Sequence, residues 1–159
     1  MFMESYNLEN LIKKYDTKNV FDVIKNFPEQ IRNAVEIGKG IQIKNVVKEK
    51  IKNIIITGLG GSAIGGDLIK LYSKDYLNIP VIVNRDYFLP KFVNEETLVI
   101  ISSYSGNTEE TISAYRDAIK KNAQIICISN GGKVKDLAEK NNHTLITIPG
   151  GYQPRFALG

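Results

Sequence analysis

At 159 residues, with 43% hydrophobic and 24% charged side chains, the chain has the make-up of one globular domain with a sizeable core. Its net charge of +4 is spread over scattered lysines, which suits a small anionic ligand and argues against nucleic acid, whose binding calls for a clustered basic face. No apolar run approaches a membrane span, the N-terminus lacks the apolar stretch of a signal peptide, and the single cysteine forbids an internal disulfide, so the expected setting is cytoplasmic, away from any membrane.

Residues 1–50 read as helical support. Leu8, Leu11, Ile12 and Tyr15 fall at helical spacing, and Phe21, Ile24, Ile31, Ala34 and Val35 make further apolar stripes. Pro28 followed by Glu29 starts a new helix with proline in its first turn, and Gly38 and Gly40 end it. The expected role is to cover one face of a sheet, with a subunit interface as the alternative.

From residue 51 the pattern changes to alternating strands and helices. The strands expected are 53–57, 79–83, 97–102, 124–129 and 144–148, and the helices 62–73, 108–122 and 133–141. Most of these strands are continuous apolar runs, so helices should cover both faces of a parallel sheet. This is a doubly wound five-stranded α/β domain, and a ligand belongs beyond the carboxyl ends of its strands. Cys127, within the fourth strand, is expected to be a buried structural thiol.

Two strand ends carry the chemistry. After the first strand come Gly58, Gly60, Gly61 and Ser62, where glycines let the backbone approach a ligand and a helix start directs free amides at an anion. After the third come Ser102, Ser103, Tyr104, Ser105, Gly106, Asn107 and Thr108, rich in hydroxyl donors suited to a phosphate. The bland alternative is that Ser105, Asn107 or Thr108 merely caps the next helix, with Glu110 completing a capping box. If the sheet switches direction between strands one and three, both loops converge on one crevice.

A dinucleotide site is the competing reading. Gly58, Gly60 and Ala63 match the G-x-G-x-x-G/A pattern, and Asp86 follows the second strand as a ribose ligand. That reading leaves the serine-rich loop unexplained. A P-loop is disfavoured by its missing lysine.

The stretches Gly58–Asp67, Ser102–Thr111 and Gly151–Gly159 resemble the bifunctional phosphoglucose/phosphomannose isomerases, members of the sugar isomerase (SIS) domain superfamily. The serine-glycine-asparagine-threonine loop marks SIS domains generally, and the Tyr-Gln-Pro-Arg run at 152–155 points to the isomerases. The resemblance implies a flavodoxin-like strand order, with the SIS domain over 51–159 and the N-terminal helical segment, 1–50, resting on it. It implies that Gly60, Gly61, Ser62, Ser103, Ser105 and Thr108 hold a sugar 6-phosphate, with no metal and no cofactor. Arg155 matches the arginine near C1 and C2 of the substrate, where a guanidinium would stabilise an enediolate.

In that family the general-base glutamate, a ring-opening histidine and a lysine lie in a second SIS domain, beyond the motif in which this sequence ends. His143 matches none of them and is expected to be structural, and Glu109 and Glu110 read as first-turn acids serving the helix dipole. The expected activity is therefore isomerisation of glucose or mannose 6-phosphate to fructose 6-phosphate, completed by a second SIS domain or within a homodimer. The alternative is a sugar-phosphate-binding module without catalysis.

Overall fold

A strand buried on both faces must be apolar at consecutive positions, and in this chain such strands pair only in parallel. The computed structural model describes residues 7–153, 156 and 157. Its sheet comprises β1 (Asn53–Thr57), β2 (Val81–Asn84), β3 (Thr97–Ser103), β4 (Gln124–Ser129) and β5 (Thr144–Thr147), in the order β2-β1-β3-β4-β5. The helices are α1 (Leu8–Tyr15), α2 (Val20–Lys25), α3 (Phe27–Lys39), α4 (Gly61–Ser73), α5 (Glu109–Lys120) and α6 (Gly132–Lys140). Every strand pair is parallel, and the direction of winding reverses between β1 and β3, as the doubly wound reading requires.

The two sheet faces differ in how they are closed. On one, Ile55, Val99, Ile101, Ile125 and Cys127 meet Ile112, Ala114, Tyr115 and Ala118 of α5 and Val134 and Ala138 of α6 in a continuous buried cluster. The connection from β2 to β3 holds no helix. It sends Leu89 and Val93 into the same cluster instead, with the Leu89 amide donating to Asp117 Oδ2 at 2.9 Å. Cys127 is fully buried there, and burial pushes its thiol up to about 12, as expected of a structural cysteine.

On the other face, α4 comes close to β1 and β2 because Gly66 presents no side chain to Ile56 and Val83. Helix α3 lies over Ile128, Ile146 and Ile148 across an apolar cavity of about 280 Å³. None of α1, α2 or α3 contains a buried residue, and Ile24 and Val35 are mostly exposed. The segment that follows α3 is tied to the sheet, with the Lys44 amide donating to Thr144 Oγ1 at 2.7 Å and the Val47 amide to Gln124 Oε1 at 2.6 Å.

Several boundaries move from their expected places, for local reasons. Strand β2 begins at Val81 rather than Ile79, because Pro80 has no N–H for the ladder and offers only its carbonyl, to the Ile54 amide at 2.9 Å. Gly38 lies within α3, and Gly40 alone caps it. Helix α5 ends at Lys120, and Asn122 adopts the left-handed conformation just beyond it. Among the described residues no helix is long and apolar enough to cross a membrane.

His143 precedes β5, at the sheet end opposite the glycine and serine loops. Its Nδ1 lies 2.7 Å from Tyr115 Oη, and burial holds its pKa below the ordinary imidazole value. The placement supports the structural role expected of it. A depressed imidazole pKa means that the unfolded chain takes up the proton first, so stability falls as pH drops below about 6.5. Melting temperature measured from pH 7.5 down to 5.5 should decline, and His143→Gln should flatten that decline while lowering the melting temperature at neutral pH. An unchanged slope would assign the acid sensitivity to other groups.

Candidate functional site

The loops after β1 and β3 touch. A Cβ on Gly58 would stand 2.8 Å from the Ser102 carbonyl oxygen, so any other residue there would push the two loops apart. Gly60, the N-cap of α4, has φ +56°, which a side chain would strain. The Tyr104 amide donates to Ser62 Oγ at 3.1 Å, and Ser102 Oγ donates to the Ser62 carbonyl at 3.3 Å. These contacts close a cavity of about 220 Å³ lined by Leu59, Gly60, Gly61, Ser62, Tyr104, Ser105 and Thr108.

Two helices begin at this cavity. The first-turn amides of α4, at Gly61 and Ser62, have no carbonyl one turn earlier to bond, so the helix start presents donors and partial positive charge. Thr108 is the N-cap of α5, yet its side chain makes no capping bond. Its hydroxyl sits 3.2 Å from Ser103 Oγ instead. The simple capping-box reading therefore fails at Thr108.

Asn107 does cap a helix, but a different one: its Oδ1 accepts from the Lys133 amide of α6 at 3.1 Å. The Gly106 carbonyl accepts from the Val134 amide at 3.0 Å, which further seals that helix start. Positive helix ends thus stay available at α4 and α5 and are blocked at α6. Nothing local in the sequence signals the Asn107 role, because its partner lies after the neighbouring strand β4.

The hydroxyls are arranged from behind as well as toward the cavity. Ser62 Oγ accepts from Tyr104, and Ser105 Oγ accepts from the Asn107 amide at 3.2 Å, so each keeps its hydrogen to donate. Ser103 is buried behind the cavity wall rather than lining it. Its Oγ accepts from the Gly106 amide at 3.1 Å and donates to Thr108 Oγ1, leaving the threonine hydrogen free. So the structure brings Gly60, Gly61, Ser62, Ser105 and Thr108 together and places Ser103 one layer below.

The remaining candidates lie elsewhere. Glu109 and Glu110 open α5 without lining the cavity, and after desolvation their charges are the chief influence raising the nearby Tyr87 phenol pKa. Asp86 does not line the cavity either. Arg155 lies outside the described residues. The Tyr152 amide, three positions earlier, donates to Tyr104 Oη at 2.8 Å, which ties that segment to the cavity wall. Among the described residues no group of three or more histidine, cysteine, aspartate or glutamate side chains is placed to hold a metal ion.

The SIS domain family model matches residues 49–151, which span all five strands and both loops. The chain belongs to the SIS domain family. It is 59% identical over 140 residues to a bifunctional phosphoglucose/phosphomannose isomerase of Caldicellulosiruptor bescii, a match covering 88% of this chain and 41% of that relative. A relative of the same description in Thermoplasma acidophilum is 47% identical over 107 residues, covering 67% of this chain and 32% of its own length. The chain thus spans less than half of the curated relatives it matches here. A crystal structure of a hypothetical protein from Thermus thermophilus shares the fold, with a TM-score of 0.66 and 17% identity over 93% of this chain and 39% of that one.

Removing one donor should separate binding from folding in this SIS domain. Ser105 is exposed, so Ser105→Ala should weaken inorganic phosphate by about 1–3 kcal/mol, the range for a hydrogen bond to a charged group, with the melting temperature unchanged. Ser103→Ala should lower both, because it orphans buried partners. Calorimetry on the two variants checks the pair; equal effects would remove the distinction between cavity wall and supporting layer.

Proposed function

We propose that this chain is the phosphate-binding part of an aldose–ketose isomerase that converts glucose 6-phosphate or mannose 6-phosphate to fructose 6-phosphate. The observation that carries the reading is the cavity at the starts of α4 and α5, where hydroxyls and amides converge with their hydrogens unspent. Gly60, Gly61, Ser62, Ser105 and Thr108 hold the phosphate, and Ser103 orients Thr108. The names of the relatives from C. bescii and T. acidophilum support the reaction class. A metabolic enzyme of this kind belongs in the cytoplasm.

The reaction moves one proton between neighbouring carbons. A base takes the C2 proton of the open-chain aldose, electrons shift toward the carbonyl, and the enediolate that forms is protonated at C1 while a proton passes from O2 to O1, giving the ketose. Arg155 stabilises the developing oxyanion, and it cannot serve as the base because it stays protonated. None of the residues lining the phosphate cavity is a carboxylate or an imidazole. His143 stands at the far end of β5. We infer that the base comes from outside this cavity, and the resemblance to the isomerases points to a second SIS domain or a second copy of the chain as its source.

That no carboxylate or imidazole is among the residues lining the cavity also supports a second reading, a module that binds sugar phosphate without turning it over. The two are separated by assay. Arg155→Ala in the complete isomerase should depress kcat more than it raises KM, since its main partner is charge present only in the transition state. Normal kcat in that variant would overturn the role given to Arg155, and no isomerisation by the complete protein would leave the binding module as the better account.

Ligand class is tested by thermal shift. Saturating fructose 6-phosphate should raise the melting temperature by mass action on the folded state, and NAD or NADP at equal concentration should do less. A larger shift with either dinucleotide would overturn the sugar-phosphate reading.

A further inference from the structure

We propose that Asn107 is a positioning residue that fixes Ser105 for its bond to phosphate by clamping the loop after β3 to the start of α6. The inference rests on the sugar-phosphate reading above. It gives a role to a residue that lies between two cavity residues, Ser105 and Thr108, without lining the cavity itself.

The loop after β3 leans on the loop after β4. The two strands pair as far as Ser103 and Ser129, their last residues, so the loops leave the sheet side by side. The Asn130 amide donates to the Tyr104 carbonyl at 3.1 Å, and the Val134 amide to the Gly106 carbonyl at 3.0 Å. Ser105 lies between these two anchors. A Cβ on Gly132 would stand 2.5 Å from the Ser105 carbonyl oxygen and 2.8 Å from Asn107 Nδ2, and Gly132 has φ +65°. Only glycine lets the first residue of α6 come so close behind Ser105.

Asn107 completes the clamp with its side chain. Its Oδ1 accepts from the Lys133 amide at 3.1 Å, and its Nδ2 donates to the Ser105 carbonyl at 3.2 Å. Its backbone amide donates to the Ser105 hydroxyl oxygen at 3.2 Å. One residue thus holds Ser105 at both its carbonyl and its hydroxyl, and is itself tied to α6. That helix is a firm anchor, because its Val134 and Ala138 are fully buried in the core cluster. The clamp needs a group that donates and accepts at once, as an amide does and a carboxylate does not.

The test separates binding from stability. Asn107→Ala should weaken inorganic phosphate, measured by calorimetry, by about three- to tenfold, the span for one lost hydrogen bond. It should also lower the melting temperature, through the lost cap on α6. In a Ser105→Ala background the same substitution should cost no further affinity, because it acts through Ser105, while its effect on melting temperature should remain. Gly132→Ala, which presses on the Ser105 carbonyl from a loop outside the cavity, should weaken phosphate at least as much. Asn141→Ala removes side-chain bonds at the opposite end of the sheet and should lower the melting temperature with phosphate affinity held within about twofold. Unchanged or tighter phosphate binding by Asn107→Ala, or its full loss repeated in the Ser105→Ala background, would overturn the assignment, as would a matching loss in Asn141→Ala. If the unsubstituted chain binds no phosphate, the sugar-phosphate reading fails, and this inference with it; the other contrary results leave that reading standing.

Discussion

The contact on which the site depends is the one between the loops that leave β1 and β3. The strand order makes these neighbours, and the winding reverses there, so the helices that follow lie on opposite faces of the sheet. Two helix starts then face one crevice from either side. Gly58 lets the loops meet, and the bond from Tyr104 to Ser62 locks them. With a side chain at Gly58 the elements would keep their identities, but the cavity between them would open.

The chemistry of the cavity is that of neutral donors. None of the lining residues carries a formal charge, so under the proposed reading an anion would meet oriented hydroxyls, amides and helix dipoles. Orientation is set from behind: the amides of Tyr104, Asn107 and Gly106 occupy acceptor positions on Ser62, Ser105 and Ser103, and Ser103 in turn occupies one on Thr108. The α6 start, which would otherwise offer free amides at the same end of the sheet, is sealed by Asn107 and Gly106. Of the three helix starts at this end of the sheet, one is thus closed by loop contacts and two face the cavity.

Much of this was legible in the sequence, and the rest failed for identifiable reasons. Strands buried on both faces must be apolar throughout, so β1, β3 and β4 could be read almost to the residue. The edge strand β2 was misplaced by two residues because Pro80 removes a ladder donor, a detail that apolar content does not register. In the site, residue type and helix starts pointed to Ser62, Ser105 and Thr108. The layering of Ser103 behind Thr108 did not follow, since both are small hydroxyl residues in one loop and only burial tells them apart. Asn107 and Tyr104 were illegible in a stronger sense. Their partners lie in loops after other strands, so their roles exist only once the sheet order is fixed.

The same dependence separates the two ends of the molecule. At the carboxyl ends of the strands, polar side chains are tied to each other across loops and keep spare donors for a ligand. At the opposite end, His143 and Tyr115 satisfy one another, and Asn141 and the Leu137 carbonyl complete a closed polar cluster. Such a cluster ties the start of β5 to α5 and α6. Place in the fold, more than the presence of a titratable group, then separates the two ends. The chain's lone histidine stands at the sheet end away from the cavity, and uncharged serine and threonine hydroxyls line the cavity itself.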